Sequence, residues 1–258
     1  GLALLLLSFY SCESWLNVTP SDRLSEEMLF NDREGFVKAL NGVYIELNTN
    51  ELYGRNLTAG ALDVMGQYYS VASSSHAFYN YGGLVYTGND EKALFDNMWQ
   101  KCYAVIACCN TIIEKCDENK AGLSPVWKGS IKGEALALRA MLHFDMLRLF
   151  GPLTSELDKE SIPYQTNSDQ TVTPLLSGSE VIGLILDDLK NAVGLLKDTD
   201  PYFVEEEFSD TDLNYRRFRM NYFAAKGLMA RVQLWGGDKE KAAITAKEVI
   251  AEGQAEGA

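Results

Sequence analysis

Six aromatic side chains crowd into nineteen residues: Tyr68, Tyr69, Phe78, Tyr79, Tyr81 and Tyr86. Aromatics make up only 11% of the chain, so the stretch is locally enriched. The rings lie around a Ser- and Gly-rich segment, Val71–Leu84, and not on a helical stripe. Aromatic faces with hydroxyl tips can stack on sugar rings and hydrogen-bond their hydroxyls. The same rings can also pin a loop to the body beneath it. An even division of the cluster between these two roles is expected.

Other reactive side chains form no recognisable catalytic set. Cys102, Cys109 and Cys116 recur every seven residues. Seven helical residues span about 10 Å, too far for a disulfide within one helix. Cys108 and Cys109 are adjacent and lack metal-ligand spacing. Buried free thiols packing as small hydrophobes are expected here. His143 has no nucleophile motif beside it and reads as a hydrogen-bonded core histidine. His76 lies in the Ser-rich loop with no ligand cluster near it. Glu134, Arg139, Asp145 and Arg148 read as paired polar ties between helices, because buried charge needs a partner. The basic knot Tyr215-Arg216-Arg217-Phe218-Arg219 is expected to pair with Glu205, Glu206 and Glu207, its neighbours in sequence, with contact to an anionic ligand as the alternative. Phosphate loops, nucleophile elbows and zinc-binding HExxH motifs are missing from the sequence, and neither a cofactor nor a metal is implied.

The elements that must carry these residues are helical. Asn31 with Glu34 forms a cap-like pair ahead of Phe36, Val37, Leu40, Val43, Tyr44 and Leu47. Leu94, Phe95, Met98, Cys102, Val105, Ile106, Cys109, Ile112, Ile113 and Cys116 share one stripe. Ile131–Phe150 is apolar almost all round, as a helix buried among others must be, and Gly151-Pro152 ends it. Ile182, Ile185, Leu186, Leu189, Val193 and Leu196 mark a further helix, with Ser177 and Ser179 as cap candidates. Val71–Leu84 and Leu153–Thr173 read as loops. Asn221–Trp235 and Asp238–Glu252 form two helices around Gly236-Gly237, together about 34 residues, the period of a tetratricopeptide repeat. One such pair cannot bury its own faces, so the helices of Gly133–Phe150 and Glu180–Leu196 are expected to lie against it.

The chain has 258 residues and a formal net charge of −13, from 23 basic and 36 acidic side chains. This acid excess argues against nucleic-acid binding, which needs clustered Lys and Arg. Gly1–Tyr10 is apolar but far shorter than the ~20 residues a bilayer span needs. It reads as residues 1–11 of a signal-peptide remnant, followed by Cys12 after small Ser11 as a lipidation site. A truncated secretory signal with an incidental cysteine is the alternative. Lipidation would tether residues 12–258 to a membrane surface without spanning it.

Five segments, in order, carry a family likeness. They are Ser11-Cys12 with Leu16-Asn17-Val18-Thr19-Pro20; Ala39-Leu40-Asn41-Gly42-Val43-Tyr44; and Trp99, Tyr103, Ile106, Asn110 and Ile113. The others are Gly133–Pro152 and Lys226–Asp238, the latter with Ala230-Arg231-Val232 and Trp235-Gly236-Gly237-Asp238. On these residues the chain resembles the SusD/RagB-like nutrient-binding outer-membrane lipoproteins of Bacteroidota. The resemblance implies an all-α fold of tetratricopeptide-like helix pairs with long irregular loops. Residues 12–258 would be the N-terminal helical domain, with a C-terminal part beyond. It implies a surface-exposed outer-membrane lipoprotein, not an enzyme. Such a protein would capture oligo- or polysaccharide and deliver it to a TonB-dependent SusC-like transporter. Loops meet the ligand in that family, so Tyr68, Tyr69, Phe78, Tyr79, Tyr81 and Tyr86 become the expected ligand-binding region. A peptide-binding RagB-like role, a helical-repeat adaptor and, last, a glycoside hydrolase remain as alternatives.

Overall fold

The computed structural model describes residues 26–169, 171–204, 208–209 and 215–256. Cys12, the apolar leader and Glu205–Glu207 lie outside the described residues. The element order is α1 (Glu26–Leu29), α2 (Arg33–Leu47), α3 (Ala61–Met65), α4 (Tyr79–Gly82), α5 (Asn89–Glu118) and α6 (Pro125–Phe150). A small antiparallel pair, β1 (Glu160–Pro163) and β2 (Leu175–Ser177), follows. Then come α7 (Gly178–Thr199), a 3-10 turn (Arg216–Phe218), α8 (Tyr222–Trp235) and α9 (Lys239–Glu256). The fold is all-α, as expected from the apolar periodicities. Strand β1 and the single-turn α4 fall inside stretches that read as loops, and β2 just after the second.

Helix starts follow side-chain capping. Asp32, one residue after the expected Asn31, caps α2 by accepting from Gly35 N at 2.8 Å. Both residue types suit an N-cap, so composition alone could not choose between them. Ser124 caps α6 with Pro125 in the first turn. Ser177 caps α7 through a full capping box with Glu180. Ser179 does not cap; its hydroxyl donates to Leu157 O at 3.1 Å. Asn221 caps α8.

Helix α6 is the spine. It buries residues on every side, among them Ile131, Leu138, Leu142, Phe144 and Leu147, against α2, α5, α7 and α8. The crossing with α7 is close because Gly133 has no Cβ. An added one would sit 2.8 Å from Leu196 Cγ and force the helices apart. The stripe of α5 is buried as its spacing predicts, with Cys102, Cys109 and Cys116 as free buried thiols. Burial pushes the Cys102 thiol well up and the Cys116 thiol to about 12, which keeps both protonated. Cys108 is a free thiol on the exposed side of α5.

The α8–α9 pair turns at Gly237, whose φ of +91° is disfavoured for side-chain-bearing residues. Asp238 then caps α9 by accepting from Lys241 N at 3.0 Å. Ala230 and Ala242 are buried where the two helices approach. α8 packs on α7, and Trp235 meets Phe144 of α6 edge-on at 5.8 Å. These are the neighbours expected for a repeat pair. The other side of the pair is a shallow groove, with Leu234 and Ile250 exposed.

Buried ion pairs tie distant segments to the spine. Arg139 grips Asp188 of α7 with two hydrogen bonds of 2.7 Å and donates to Asn110 Oδ1 of α5 at 2.8 Å. Glu134 accepts from Tyr44, Arg216 and Arg219. Arg216 also holds buried Asp200 through bonds of 3.0 and 2.6 Å. Among the described residues, Arg216 and Arg219 pair with Glu134 and Asp200; the pairing expected with Glu205–Glu207 falls outside them. Burial alone would raise the Glu134 carboxyl, but Arg216, Arg219 and Tyr44 together hold it below its usual value. Asp145 accepts from Tyr53 of the α2–α3 loop and from Arg148.

Candidate ligand-binding surface

The aromatic stretch begins where α3 ends. Gln67 takes a left-handed conformation, φ 62°, which turns the chain out of the helix. Its side chain donates to Gly82 O at 3.0 Å and to Val64 O at 3.3 Å, so the ends of α3 and α4 are held together. Asn80 of α4 donates to buried Glu91 of α5 at 2.8 Å. Short turns such as His76 N to Ser73 O and Val85 N to Asn80 O close the backbone on itself.

Beneath the loop runs a ladder of rings. Phe78 meets Tyr81 at 5.8 Å, and Tyr81 meets Phe95 of α5 at 6.0 Å. Tyr86 meets Phe95 at 5.5 Å, and Phe95 meets Phe150 at the end of α6 at 6.2 Å. Most of these contacts are edge-on, the arrangement favoured by the ring quadrupole.

The six aromatics therefore divide. Tyr68 is 81% exposed, Tyr69 55% and Tyr79 42%. Phe78 and Tyr86 are half-buried. Tyr81 is 2% exposed, so its expected contact with ligand is corrected: it has no free face. Burial, helped by Glu91 and Asp90, pushes its hydroxyl up to about 12, so it stays a neutral packing ring. Tyr81 and Tyr86 pack on Phe95, and Tyr68, Tyr69 and Tyr79 are the exposed members of the set. Exposed Leu84 and Val85 lie beside them in sequence and were not singled out there; as single aliphatic residues they carried no signal.

Elsewhere the candidate residues are structural. His143 is fully buried and stacks on Tyr164 at 3.9 Å. Its Nε2 accepts from Gln165 N at 3.0 Å, so Nδ1 carries the proton and donates to Arg139 O at 3.0 Å. Burial holds its pKa down at about 3. The imidazole is thus neutral and fully used. Exposed His76 accepts from Phe78 N at 3.0 Å and serves the loop's own turn. Among the described residues, no group of three or more His, Cys, Asp or Glu side chains is placed to hold a metal. Among the same residues, no helix is long and apolar enough to cross a membrane.

Comparison with known proteins gives a consistent picture. A family model described as "SusD-like: Starch-binding associating with outer membrane" matches residues 14–234. A SusD-like protein of Formosa agariphila is 26% identical over 253 residues, covering 95% of this chain and 44% of the relative. A SusD-like protein of Bacteroides ovatus is 30% identical over 146 residues, covering 55% of this chain and 23% of the relative. Among solved structures, a SusD-like carbohydrate-binding protein from Bacteroides vulgatus superposes with a TM-score of 0.68 at 23% identity. That match covers 86% of this chain and 45% of the other. A laminarin-binding SusD-like protein superposes with a TM-score of 0.62 at 17% identity, covering 85% and 43%. At these identities the structural likeness speaks to the fold. The chain spans less than half the length of these relatives.

Proposed function

Because the chain belongs to the SusD-like family, we propose that it captures glycan at the cell surface and delivers it to a TonB-dependent SusC-like transporter. The observation that carries the binding half is the exposure of Tyr68, Tyr69 and Tyr79 on a loop anchored through the packed rings of Tyr81 and Phe95. A rigid anchor lowers the ordering cost of binding. Flat rings then stack on pyranose faces while their hydroxyls bond to sugar hydroxyls. No bond is broken, and no cofactor takes part.

Lipidation at Cys12 would hold the protein on the outer membrane, facing outward. Mass spectrometry of the membrane-extracted protein tests this: diacylglyceryl on Cys12 is expected, and soluble release of the Cys12→Ser variant. The repeat face would meet the transporter, leaving the aromatic loop for ligand.

Affinity electrophoresis against a polysaccharide panel tests the binding reading. Starch, named in the family description, and laminarin, named for one structural neighbour, lead the panel. The double variant Tyr68→Ala, Tyr79→Ala should weaken retention about tenfold, the loss of roughly 1.4 kcal/mol, with an unchanged melting temperature. Unchanged retention would remove the loop from the site. Peptide binding without retention by any polysaccharide would move the reading to a peptide-binding relative.

A further inference from the structure

Among the described residues, three other than glycine take a left-handed backbone: Gln67 (φ 62°), Leu84 (φ 56°) and Asn119 (φ 45°). A side chain is crowded there by its own main chain, and the residues that tolerate it best are those whose polar groups bond locally. Two of the three follow that rule. Asn119 ends α5, and its side chain accepts from Leu123 N at 2.7 Å and donates to Leu123 O at 3.2 Å. Gln67 donates to Val64 O and to Gly82 O. Leu84 breaks the rule. Its side chain has no polar atom, and at 59% exposed it is not held by burial. The turn is closed by main-chain bonds alone: Gly83 N to Tyr79 O at 3.3 Å, Leu84 N to Tyr81 O at 3.1 Å and Val85 N to Asn80 O at 2.8 Å. Glycine would take this backbone without strain.

A costly conformation that the fold does not repay points to a contact made outside the chain. The place suits one. Leu84 ends the turn that begins at exposed Tyr79, and Val85 beside it is 48% exposed. The Gln67 bond to Gly82 O draws the end of α3 to the same turn, with exposed Tyr68 and Tyr69 next in the chain.

Charge narrows what could dock. Residues 64–89 contain no Asp, Glu, Lys or Arg, in a chain that is 23% charged. Asp63, Asp90 and Glu91 flank the stretch and outnumber Arg55, whose guanidinium lies 5.9 Å from the centre of the Phe78 ring. An anionic sugar would be repelled by that surplus, and burying its charge needs pairing. An uncharged pyranose offers apolar C–H surface to an exposed isobutyl group, and covering that group is favourable.

We propose that Leu84 is a ligand-contacting residue of the aromatic loop, kept in a strained backbone because its side chain packs on the C–H face of an uncharged sugar. The proposal rests on the glycan-binding reading of the same loop and adds to it a residue and a charge class.

Two substitutions in the full chain separate the contact from the strain. Leu84→Gly removes both, and Leu84→Ala removes the isobutyl contact but keeps a Cβ on the left-handed backbone. Melting temperature and affinity electrophoresis are measured for each, on neutral starch, laminarin and galactomannan and on anionic polygalacturonate and alginate. Leu84→Gly should melt about 2–4 °C higher than the parent, and Leu84→Ala should gain less. Both should be retained about fivefold less by the neutral polysaccharide that holds the parent. Parental retention in either variant, or a Leu84→Gly melting temperature at or below the parent's, would overturn the proposal. So would retention of the parent on the anionic gels as strong as on the neutral ones. Retention that falls in Tyr68→Ala, Tyr79→Ala but not in Leu84→Gly would remove Leu84 and leave the loop reading intact. Retention of the parent by none of the polysaccharides would overturn both.

Discussion

The two long irregular stretches, residues 66–88 and 153–173, share a loop-like composition and are held by opposite means. The second is strapped down through its main chain. Tyr103 donates to Pro163 O, Asn110 to Gln165 O and Asn167 O, and Arg139 to Thr166 O. His143 and Glu114 accept from the backbone N–H groups of Gln165 and Ser168. Five side chains of α5 and α6 thus do for this strap what a neighbouring strand would do in a sheet. The first stretch closes its backbone on its own turns and is attached mainly through the rings of Tyr81 and Tyr86. Where the body supplies the hydrogen bonds, its polar side chains are consumed. Where rings supply the attachment, other side chains of the loop stay free to meet a ligand. The difference leaves the main chain of one loop bound to the body and several side chains of the other exposed.

The comparison breaks most forcefully at Arg139. Replacing it with Ala leaves Asp188 buried with Tyr164 as its remaining side-chain hydrogen-bond partner, and removes the donor to Thr166. An uncompensated buried charge of this kind costs about 3–5 kcal/mol. Urea denaturation should show that loss, and hydrogen exchange should show the strap opening while the Tyr79–Gly82 turn keeps its protection. Equal loosening of both loops would mean that they are one cooperative unit.

A smaller effect should follow from His143. The unfolded imidazole takes up its proton near pH 6.5, and the folded one only at about 3. Between those values the unfolded chain binds more protons, so stability falls as pH falls. At pH 5 the loss from this one group is about 2 kcal/mol relative to pH 7. The His143→Gln variant, measured by denaturation from pH 7 to pH 5, should lack that slope. A wild-type slope in the variant would assign the acid sensitivity to other groups.

The helical framework was legible because its signals are local. Steps of three and four on α5, the all-round apolar α6 and the Gly-Gly turn between α8 and α9 each report on residues close in sequence. That Glu134 and Arg139 are tied was legible, but their partners were not, because Glu134 and Arg216 are 82 residues apart and Arg139 and Asp188 are 49 apart. Sequence proximity pointed to Glu205–Glu207 for the arginines and gave no sign of Glu134 or Asp200. At the aromatic site the region could be read but not the roles within it. Tyr79 and Tyr81 share the single turn of α4, and positions two apart on a helix point to nearly opposite sides. One is therefore exposed and the other buried. A stretch with no helical period gave no warning of that turn.

Tyr81→Phe should have the smallest effect and is the sharpest test of how the aromatic loop is attached. If rings hold this loop, the hydroxyl of Tyr81 is nearly idle. Its one hydrogen bond, to Asp90 O, is 3.5 Å long, at the outer limit where such bonds weaken. The substitution keeps the contacts with Phe78, Tyr86 and Phe95 and removes only that hydroxyl. Stability should change by less than about 0.5 kcal/mol, and glycan retention should match the unmodified protein. A loss above about 1 kcal/mol, the worth of an ordinary hydrogen bond, would mean that the loop is strapped by polar contacts after all. Weaker retention without a loss of stability would return Tyr81 to the ligand-contacting set. The intended result separates Tyr81 from Tyr79: the same residue type, two positions apart, dispensable as a hydroxyl among the packed rings and needed as a whole side chain at the surface.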